Sequence, residues 1–346
     1  MRLKRLIPLM VMFFVVVSFM GGIPSQVQAK DKTLKLTYAF FASARTFPGR
    51  QMSTWAEEIE KRTDGMVKVQ TFPGSTLLGA RDMYDGVLRG VADIGLGSPS
   101  YDPGRFPLTS GVALPVSFPN ATVASLTLLD LMMEFKPAEY KKFKIITMFT
   151  TEPGHIQSRA PVENLQDLKG MKLRAAGTGV PVLKALGAAP VGMPMPQVPE
   201  SVQTGVIDGT MTSREVLKDF KLAEQLHHVV EYPTVVVTFA AVMDQKKWDK
   251  LPDKVKKVID ELAREMAIWT GQYHDKQNVG EALAWSQKNH NLQIHTLSAA
   301  ERAKWDARLA PMVDSWKTEM KAKGLPAEEF LDRLSQIRDK YAKQYK

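Results

Sequence analysis

A basic side chain at a strand end is the feature of this sequence best suited to binding a ligand. Residues Met171 to Ala175 read as a strand, and Arg174 stands near its end, before the loop that contains Gly177. In open α/β sheets, ligands gather beyond the carboxyl ends of strands. A guanidinium there stays charged and can hold a carboxylate with two parallel hydrogen bonds. Pairing of Arg174 with a surface acid is the alternative, because exposed ion pairs are common.

A second candidate is the segment Gly97-Ser98-Pro99-Ser100-Tyr101, which also follows a predicted strand. Its hydroxyl groups and free backbone N–H groups could bind a polar ligand. A plain turn explains the same residues equally well, since glycine, proline and serine are common in turns. Ser98 and Tyr101 are therefore candidate ligand contacts.

Patterns typical of catalysis or metal binding do not occur in the sequence. The segment 177–179 lacks the third glycine of a dinucleotide fingerprint, and neither a G-x-S-x-G elbow nor an H-E-x-x-H pair is present. The absence of cysteine excludes disulfides, thiolate metal sites and a cysteine nucleophile. No histidine shows metal-ligand spacing. The six histidines are His155, His227, His228, His274, His290 and His295. We expect no metal, no cofactor and no enzymatic activity.

The N-terminal segment has the layout of a secretory signal peptide. Arg2, Lys4 and Arg5 precede an apolar run at 6–20, and the small residues at positions 27 and 29 predict cleavage after position 29. An uncleaved membrane anchor is the alternative, but the run is shorter than the ~20 residues that a spanning helix needs. We therefore expect a periplasmic protein that is exported with a cleaved signal peptide.

Composition and charge are those of an ordinary globular protein with a mildly basic surface. The 346 residues are 44% hydrophobic and 24% charged, and this length suggests about two domains of ~150 residues. The formal charge of +9 becomes +6 without the three basic residues of the signal peptide. Basic and acidic residues alternate, as at 254–264, so no basic block indicates nucleic-acid binding. At most, this charge would steer anionic solutes towards the protein.

The elements that must position the candidate contacts begin with alternating strands and helices. Alternating apolar residues predict a strand at 34–40, and helical spacing runs from Met52 to Ile59. A strand at 67–72, a helix at 80–89 and a strand at 91–96 follow. This alternation predicts an α/β fold with a largely parallel sheet.

The second half of the chain repeats this plan. The predicted strands lie at 171–175 and 189–191, and the predicted helices at 180–186 and 199–204. The segment Gly205-Val206-Ile207-Asp208 then follows a helix, as Gly90-Val91-Ala92-Asp93 does in the first half. We read two similar α/β lobes with a cleft between them.

A long amphipathic helix is predicted to span the two lobes. Apolar residues from Leu251 to Trp269 fall on one helical face, and helical composition continues to Asn289. A helix of roughly 35 residues would be ~50 Å long, which exceeds one small lobe. Two more helices are predicted at 299–323 and 327–343. No flexible linker separates the lobes, which favours hinge closure around a ligand.

Several ordered motifs resemble those of the solute-binding proteins of tripartite ATP-independent periplasmic (TRAP) transporters, DctP type. Residues 167–174 read DLKGMKLR and resemble the DLKGxKxR segment of that family. Residues 186–191 read LGAAPV, residues 203–209 read QTGVIDG, and both resemble motifs of the same family. The residues at 72–79 and 90–95 also fit, so the similarity covers essentially the whole mature chain.

The resemblance implies a two-lobed periplasmic binding protein fold with a long interlobe helix. It implies that the lobes close on a ligand, that Arg174 binds its carboxylate, and that membrane permease subunits receive it. Import would be driven by an ion gradient rather than by ATP. After the signal peptide at 1–29, the predicted division is 30–150 plus 238–277 as lobe I and 151–237 plus 278–346 as lobe II.

The sequence departs from the sialic-acid-binding members of that family. Thr212 stands where a ligand-binding asparagine would be, Met195 replaces a common aromatic residue, and the stretch from Glu152 to His155 holds no second arginine. We therefore expect a monocarboxylate with an apolar or aromatic body. Beside Arg174, Ser98 and Tyr101, the candidate contacts are Thr212, Met195, His155, Phe40, Phe41, Phe47 and Phe239. Each aromatic residue is equally compatible with the core.

The sequence thus predicts a binding protein that captures a small organic anion and delivers it to a TRAP-type transporter. One alternative is a periplasmic sensor that reports the same ligand to a membrane receptor, and neighbouring genes would separate it from transport. The other is an exported enzyme acting on a small acid. The lack of an acid, base or nucleophile constellation argues against that enzyme.

Overall fold

The computed structural model describes residues 33–346, and the predicted signal peptide lies outside this described part. Within it the chain forms eleven strands and thirteen α-helices. The strands are β1 Leu34–Phe40, β2 Val67–Phe72, β3 Ile94–Gly97, β4 Phe143–Thr150, β5 His155–Ser158, β6 Lys172–Ala175, β7 Ala189–Gly192, β8 Gly209–Thr212, β9 His228–Val230, β10 Thr238–Asp244 and β11 Gln293–His295. The helices are α1 Phe47–Arg62, α2 Met83–Leu88, α3 Thr109–Val112, α4 Ala121–Phe135, α5 Gly179–Leu186, α6 Val198–Gln203, α7 Val216–Asp219, α8 Gln245–Asp249, α9 Asp253–Tyr273, α10 Val279–His290, α11 Ala299–Leu309, α12 Pro311–Ala322 and α13 Ala327–Gln344.

The first sheet has the strand order β2-β1-β3-β10-β4. Strands β2, β1 and β3 are parallel, which confirms the prediction from the strand–helix alternation. Strand β10 comes from much later in the chain and runs antiparallel to β3 and β4, with Phe239 opposite Phe149. This strand is not among the predicted ones. All but one of its residues are buried, so it lacks the alternation that identifies a strand.

The second sheet has the strand order β11-β9-β5-β8-β6-β7. Strands β7, β6 and β8 are parallel, and Arg174 on β6 lies between Val191 of β7 and Thr210 of β8. Strand β5 runs antiparallel to β8 and β9. Both sheets are therefore mixed, although the strands read from the sequence are parallel to one another.

Two crossing segments connect the sheets. One joins β4 to β5 and the other joins β9 to β10. They are hydrogen-bonded to each other: Thr151 N donates to the carbonyl of Val237 at 3.0 Å, and Gly154 N donates to the carbonyl of Val235 at 2.9 Å. Ordered paired crossings of this kind are suited to a hinge.

The predicted long helix is confirmed. Helix α9, a π-helical turn at His274–Asn278 and helix α10 follow one another without a break from residue 253 to 290. Helix α9 packs on α1 beside the first sheet, and α10 packs on α7 beside the second. The buried residues of α9 recur at helical spacing, as predicted. No helix among residues 33–346 is both long and apolar enough to cross a membrane.

Local caps set the ends of the predicted helices. Helix α1 begins after Thr46, whose hydroxyl accepts a hydrogen bond from Gly49 N at 3.3 Å. It ends before Gly65, which has φ 75°. Helix α5 ends at Gly187, with φ 97°. Left-handed backbone strains any residue that has a Cβ, which explains glycine at both positions.

The last three helices divide between the two sheets. Trp305 of α11 packs into the core of the second sheet. Trp316 of α12 and Phe330 of α13 pack instead with residues of α4 on the first sheet. The predicted lobe boundaries remain a proposal, and these contacts favour placing residues 311–346 with the first lobe. Periodicity identifies such helices but does not reveal which sheet their apolar faces cover.

Candidate ligand-binding site

A narrow cavity lies between the two sheets, near the ends of β1, β6 and β8. About 30 Å³ of it is open to the centre of a water-sized sphere, so its walls lie close together. The lining residues are Phe40, Phe41, Ala42, Thr46, Phe47, Pro48, Tyr101, Thr151, Arg174, Met195, Thr212, Glu215, Val216, Phe220, Val237 and Phe239. The two sheets therefore contribute opposite parts of one site.

Arg174 contributes a buried guanidinium to this cavity. The residue is 1% exposed. Its Nε donates to the carbonyl of Met193 at 2.8 Å, and Nη1 lies 3.7 Å from Sδ of Met195. Nη2 is buried and has no hydrogen-bond partner. One edge of the guanidinium is therefore available for a ligand.

The charge of Arg174 is not balanced by a nearby acid. Among residues 33–346, no carboxylate oxygen lies within 4.0 Å of its nitrogens. Arg214 offers a contrast, since Nη2 lies 2.8 Å from Glu152 and Nη1 lies 3.2 Å from Glu231. Burial lowers the pKa of Arg174, and the nearby Tyr101 hydroxyl opposes this shift. Arginine nevertheless stays protonated in proteins, so the site holds a buried positive charge that an anion would stabilise.

Aromatic side chains of the first sheet and its loops form one wall of the cavity. The rings of Phe41 and Phe239 are stacked with centroids 6.5 Å apart, and the Phe47 ring lies 5.8 Å from Phe239. The Phe40 ring lies 4.6 Å from that of Phe41. The Tyr101 ring lies 5.5 Å from Phe41. The four phenylalanines and the tyrosine singled out in the sequence thus meet at one wall.

Tyr101 links this wall to the second sheet. Its hydroxyl accepts a hydrogen bond from Met195 N at 3.2 Å. Met195 in turn contacts the guanidinium of Arg174, and it lines the cavity together with Thr212. Contacts of this kind hold the aromatic wall and the charged group next to each other.

Two of the predicted contacts do not line the cavity. Ser98 directly follows β3, is fully buried, and its hydroxyl has no hydrogen-bond partner. His155 begins β5, and its Nε2 lies 3.7 Å from Glu231. Neither residue touches the space beside Arg174, because their side chains pack elsewhere in the lobes.

Glu215 lines the cavity, and the sequence does not single it out. It lies three residues after Thr212, at the start of α7, and is 4% exposed. Burial raises the pKa of Glu215 to about 8, although a hydrogen bond with Ser213 opposes the shift. An acidic residue before a helix is ordinarily explained by the helix dipole. No pattern in the sequence therefore marks it as a cavity residue.

A buried polar network connects the cavity with the long helix. His274, in the π-helical turn, has Nε2 at 3.0 Å from Oγ of Ser213 and Nδ1 at 3.0 Å from Oδ1 of Asn278. Its ring lies 4.1 Å from that of Phe47, which lines the cavity. A π-helical turn inside an α-helix is frequent at functional sites. The network therefore joins the site to the segment that spans both sheets.

A larger cleft adjoins the cavity at Tyr101 and offers about 420 Å³ to the centre of a water-sized sphere. The charged residues that line it in the described chain are exposed or half-buried. No group of three metal-ligating side chains occurs within residues 33–346. The narrow cavity is therefore the better candidate for binding an anion, since it holds the buried charge.

The family model for bacterial extracellular solute-binding protein, family 7, also called DctP, matches residues 38–319. This match spans more than half of the chain. The chain belongs to that family. Members are binding proteins and not enzymes, which sets aside the exported enzyme as an alternative.

Solved structures of TRAP solute-binding proteins resemble this member closely. One from Desulfovibrio salexigens DSM2638 is 44% identical over 90% of this chain and 97% of its own, with a TM-score of 0.80. It is an open complex with the C-terminus of a symmetry mate in its ligand-binding site. The similarity confirms the predicted TRAP family and the two-lobed α/β fold.

Two other similar structures have aromatic acids bound. A marine metagenome protein from an unidentified microbe is specific for aromatic acid ligands and holds 3-hydroxybenzoate. It is 28% identical over 89% of this chain and 99% of its own, with a TM-score of 0.84. A Bordetella bronchiseptica protein holds (R)-mandelate and (S)-mandelate; it is 26% identical with the same two coverages and a TM-score of 0.83. This family member therefore shares its fold with binding proteins for small carboxylates.

Proposed function

We propose that this solute-binding protein captures a monocarboxylate with an apolar or aromatic body, and that Arg174 binds the carboxylate. The observation that carries the proposal is the buried Nη2 of Arg174, which has neither a hydrogen-bond partner nor a neighbouring acid. A carboxylate would supply both. Charge-assisted hydrogen bonds of this kind are about twice as strong as neutral ones.

The low polarity of the site supports the apolar body of the ligand. Phe41, Phe47 and Phe239 present ring faces and edges to the cavity, whose narrow space suits a flat group. A polyhydroxylated sugar acid would lose the water around several hydroxyl groups there, and the phenylalanine rings offer those groups no hydrogen-bond partners, which is unfavourable. The similar proteins that hold 3-hydroxybenzoate and mandelate provide precedents for this ligand class.

A thermal-shift and calorimetry screen of organic acids tests the proposal. Benzoate and benzamide form a matched pair, because they have nearly the same shape and only benzoate is charged. We expect benzoate or a related aromatic acid to stabilise the protein, by about 2.7 kcal/mol at 100 times its Kd, and the matching amide not to. Equal stabilisation by both members of such pairs would show that charge is not recognised.

Mass spectrometry of small molecules released from denatured protein independently identifies the class of ligand that copurifies. A copurified aromatic or apolar monocarboxylate is the expected result. A sugar acid or an uncharged compound would contradict the proposed ligand class.

We further propose that the protein acts in the periplasm and delivers its ligand to the membrane permease subunits of a TRAP transporter. Periplasmic extracts should contain a mature chain that begins at Lys30. Deleting the gene should abolish uptake of the copurified acid, and an ionophore that collapses ion gradients should do the same. Normal uptake in the deletion strain would refute the transport role.

A further inference from the structure

Glu215 places a second unsatisfied group in the ligand cavity. The residue follows β8, lines the cavity with Arg174, and is 4% exposed. Its Oε2 is buried and has no hydrogen-bond partner. Most buried polar side-chain atoms are hydrogen-bonded, because leaving one unpaired is unfavourable. This oxygen therefore needs a partner, and the cavity is where one can reach it.

Glu215 and Arg174 do not satisfy each other. The carboxyl oxygens of Glu215 lie more than 4.0 Å from the guanidinium nitrogens of Arg174, since the two residues form no ion pair in the described chain. They stand on different strand ends, with Arg174 on β6 and Glu215 just after β8. Aromatic rings, such as that of Phe239, line the same space. The cavity thus contains two separate polar groups in an apolar setting.

We infer that Glu215 is a specificity-determining residue, which hydrogen-bonds a hydroxyl group on the apolar body of the ligand while Arg174 binds the carboxylate. The inference rests on the proposed function and narrows the ligand class to hydroxylated aromatic or apolar monocarboxylic acids. A hydroxyl group suits this position because it both donates and accepts hydrogen bonds. A ligand without a hydroxyl group would leave Oε2 of Glu215 unpaired.

The surroundings of Glu215 keep its carboxyl uncharged at neutral pH. Burial raises its pKa to about 8, and the charges of Asp219 and Glu152 act in the same direction. Arg214 precedes it in the same loop and pairs with Glu152 and Glu231, and on the long helix Nε2 of His274 lies 3.9 Å from Oε2 of Glu215. Burial lowers the pKa of His274, so this contact joins two neutral groups near pH 7. Glu215 can therefore donate its proton to a ligand oxygen.

The test compares three probes and two variants by calorimetry. The probes are benzoate and its 3- and 4-hydroxy derivatives, and the variants are Glu215→Leu and Glu215→Gln. The wild-type protein should bind one hydroxybenzoate more tightly than benzoate. Glu215→Leu should weaken that hydroxybenzoate about 10-fold or more and remove the preference for it over benzoate, since one buried hydrogen bond to the hydroxyl is lost.

Glu215→Gln is the matched control, because the amide has the same shape, still forms hydrogen bonds and does not titrate in this range. It should keep the preference for the hydroxybenzoate. As pH rises from 6 to 9, the wild-type affinity for that probe should fall, because Glu215 loses its proton and then places a negative charge in the same cavity as the ligand carboxylate. The affinity of the Gln variant should stay flat over the same range.

Failure of this inference and failure of the proposed function give different results. If the wild-type protein binds monocarboxylates but shows no preference for a hydroxylated probe, or if Glu215→Leu weakens both probes equally, the inference is overturned and carboxylate capture stands. If no monocarboxylate binds, both are overturned. Should Glu215→Leu not fold, the pH profiles of the wild type and of Glu215→Gln decide: parallel profiles would refute the role of Glu215.

Discussion

Replacing Arg174 by glutamine separates a ligand-binding arginine from a structural one. Glutamine cannot carry the charge that Nη2 presents to the cavity. Truncating one partner of a buried, hydrogen-bonded charge pair costs about 2–5 kcal/mol of binding free energy. At ~1.4 kcal/mol per factor of ten, the Kd for the carboxylate should rise by ~30-fold to ~4,000-fold.

The ligand-free protein should respond differently. The Arg174 side chain is buried without an acidic partner, so its removal leaves no other charge unpaired. Its loss forfeits one hydrogen bond to the carbonyl of Met193 but also removes the desolvation penalty of the charge. We therefore expect the free energy of unfolding of empty Arg174→Gln to stay close to that of the wild type.

Arg214→Gln supplies the matched comparison. Arg214 donates to both Glu152 and Glu231, and Glu152 is buried. The Arg214→Gln substitution should destabilise the empty protein by about 3 kcal/mol, because it leaves the buried carboxylate of Glu152 unpaired. Calorimetric titration measures the Kd values and urea unfolding measures the stabilities. An Arg174→Gln variant that binds as tightly as the wild type, or that loses as much stability as Arg214→Gln, would refute the reasoning.

Other predictions concern acid stability and the long helix. Burial and the charge of Arg214 lower the pKa of His155 to about 4 in the folded protein. As pH drops, His155 of the unfolded chain is therefore protonated first, near its ordinary pKa of about 6.5. The free energy of unfolding should fall as pH drops from about 6.5 towards 4. His155→Gln should flatten that part of a urea-unfolding profile against pH, and an unchanged slope would contradict this. A Cβ on Gly271 would lie 2.6 Å from Cα of Thr122, so Gly271→Ala should destabilise the protein by ~1–3 kcal/mol. Gly280 lies on the same long helix with open space around it, so Gly280→Ala should stabilise the protein by up to ~1 kcal/mol. If thermal unfolding found Gly271→Ala more stable than Gly280→Ala, this packing argument would be excluded.

Much of the fold can be read from local patterns. Strand β2 has the predicted bounds, and α5 ends at Leu186 as predicted, because Gly187 follows it with a positive φ that favours glycine. The break between α11 and α12 does not follow from the pattern, which predicts one helix at 299–323. Pro311 lacks the N–H that a continuing helix needs, and it starts α12 instead.

The candidate site was only partly readable from the sequence. Arg174 at a strand end, with its family motif, predicts a ligand contact in the cleft, and the structure places Arg174 in the wall of the cavity. The aromatic contacts follow less directly, because a buried phenylalanine has the same sequence signal in a core and in a cavity wall. Ser98 lies outside the cavity, although its position at a strand end predicts a ligand contact. Glu215 lines the cavity, although no sequence pattern marks it.

The sequence by itself determined the alternating strands and helices of the two parallel segments, the long helix, where glycines end several helices, and that a permanent positive charge stands at the end of β6. These properties depend on residues close together in the chain. Only the tertiary structure decided that Arg174, Glu215 and Phe239 share one cavity, and that α12 and α13 cover the first sheet. Such contacts join residues from distant parts of the chain, and their energies depend on burial and distance, which no local pattern records.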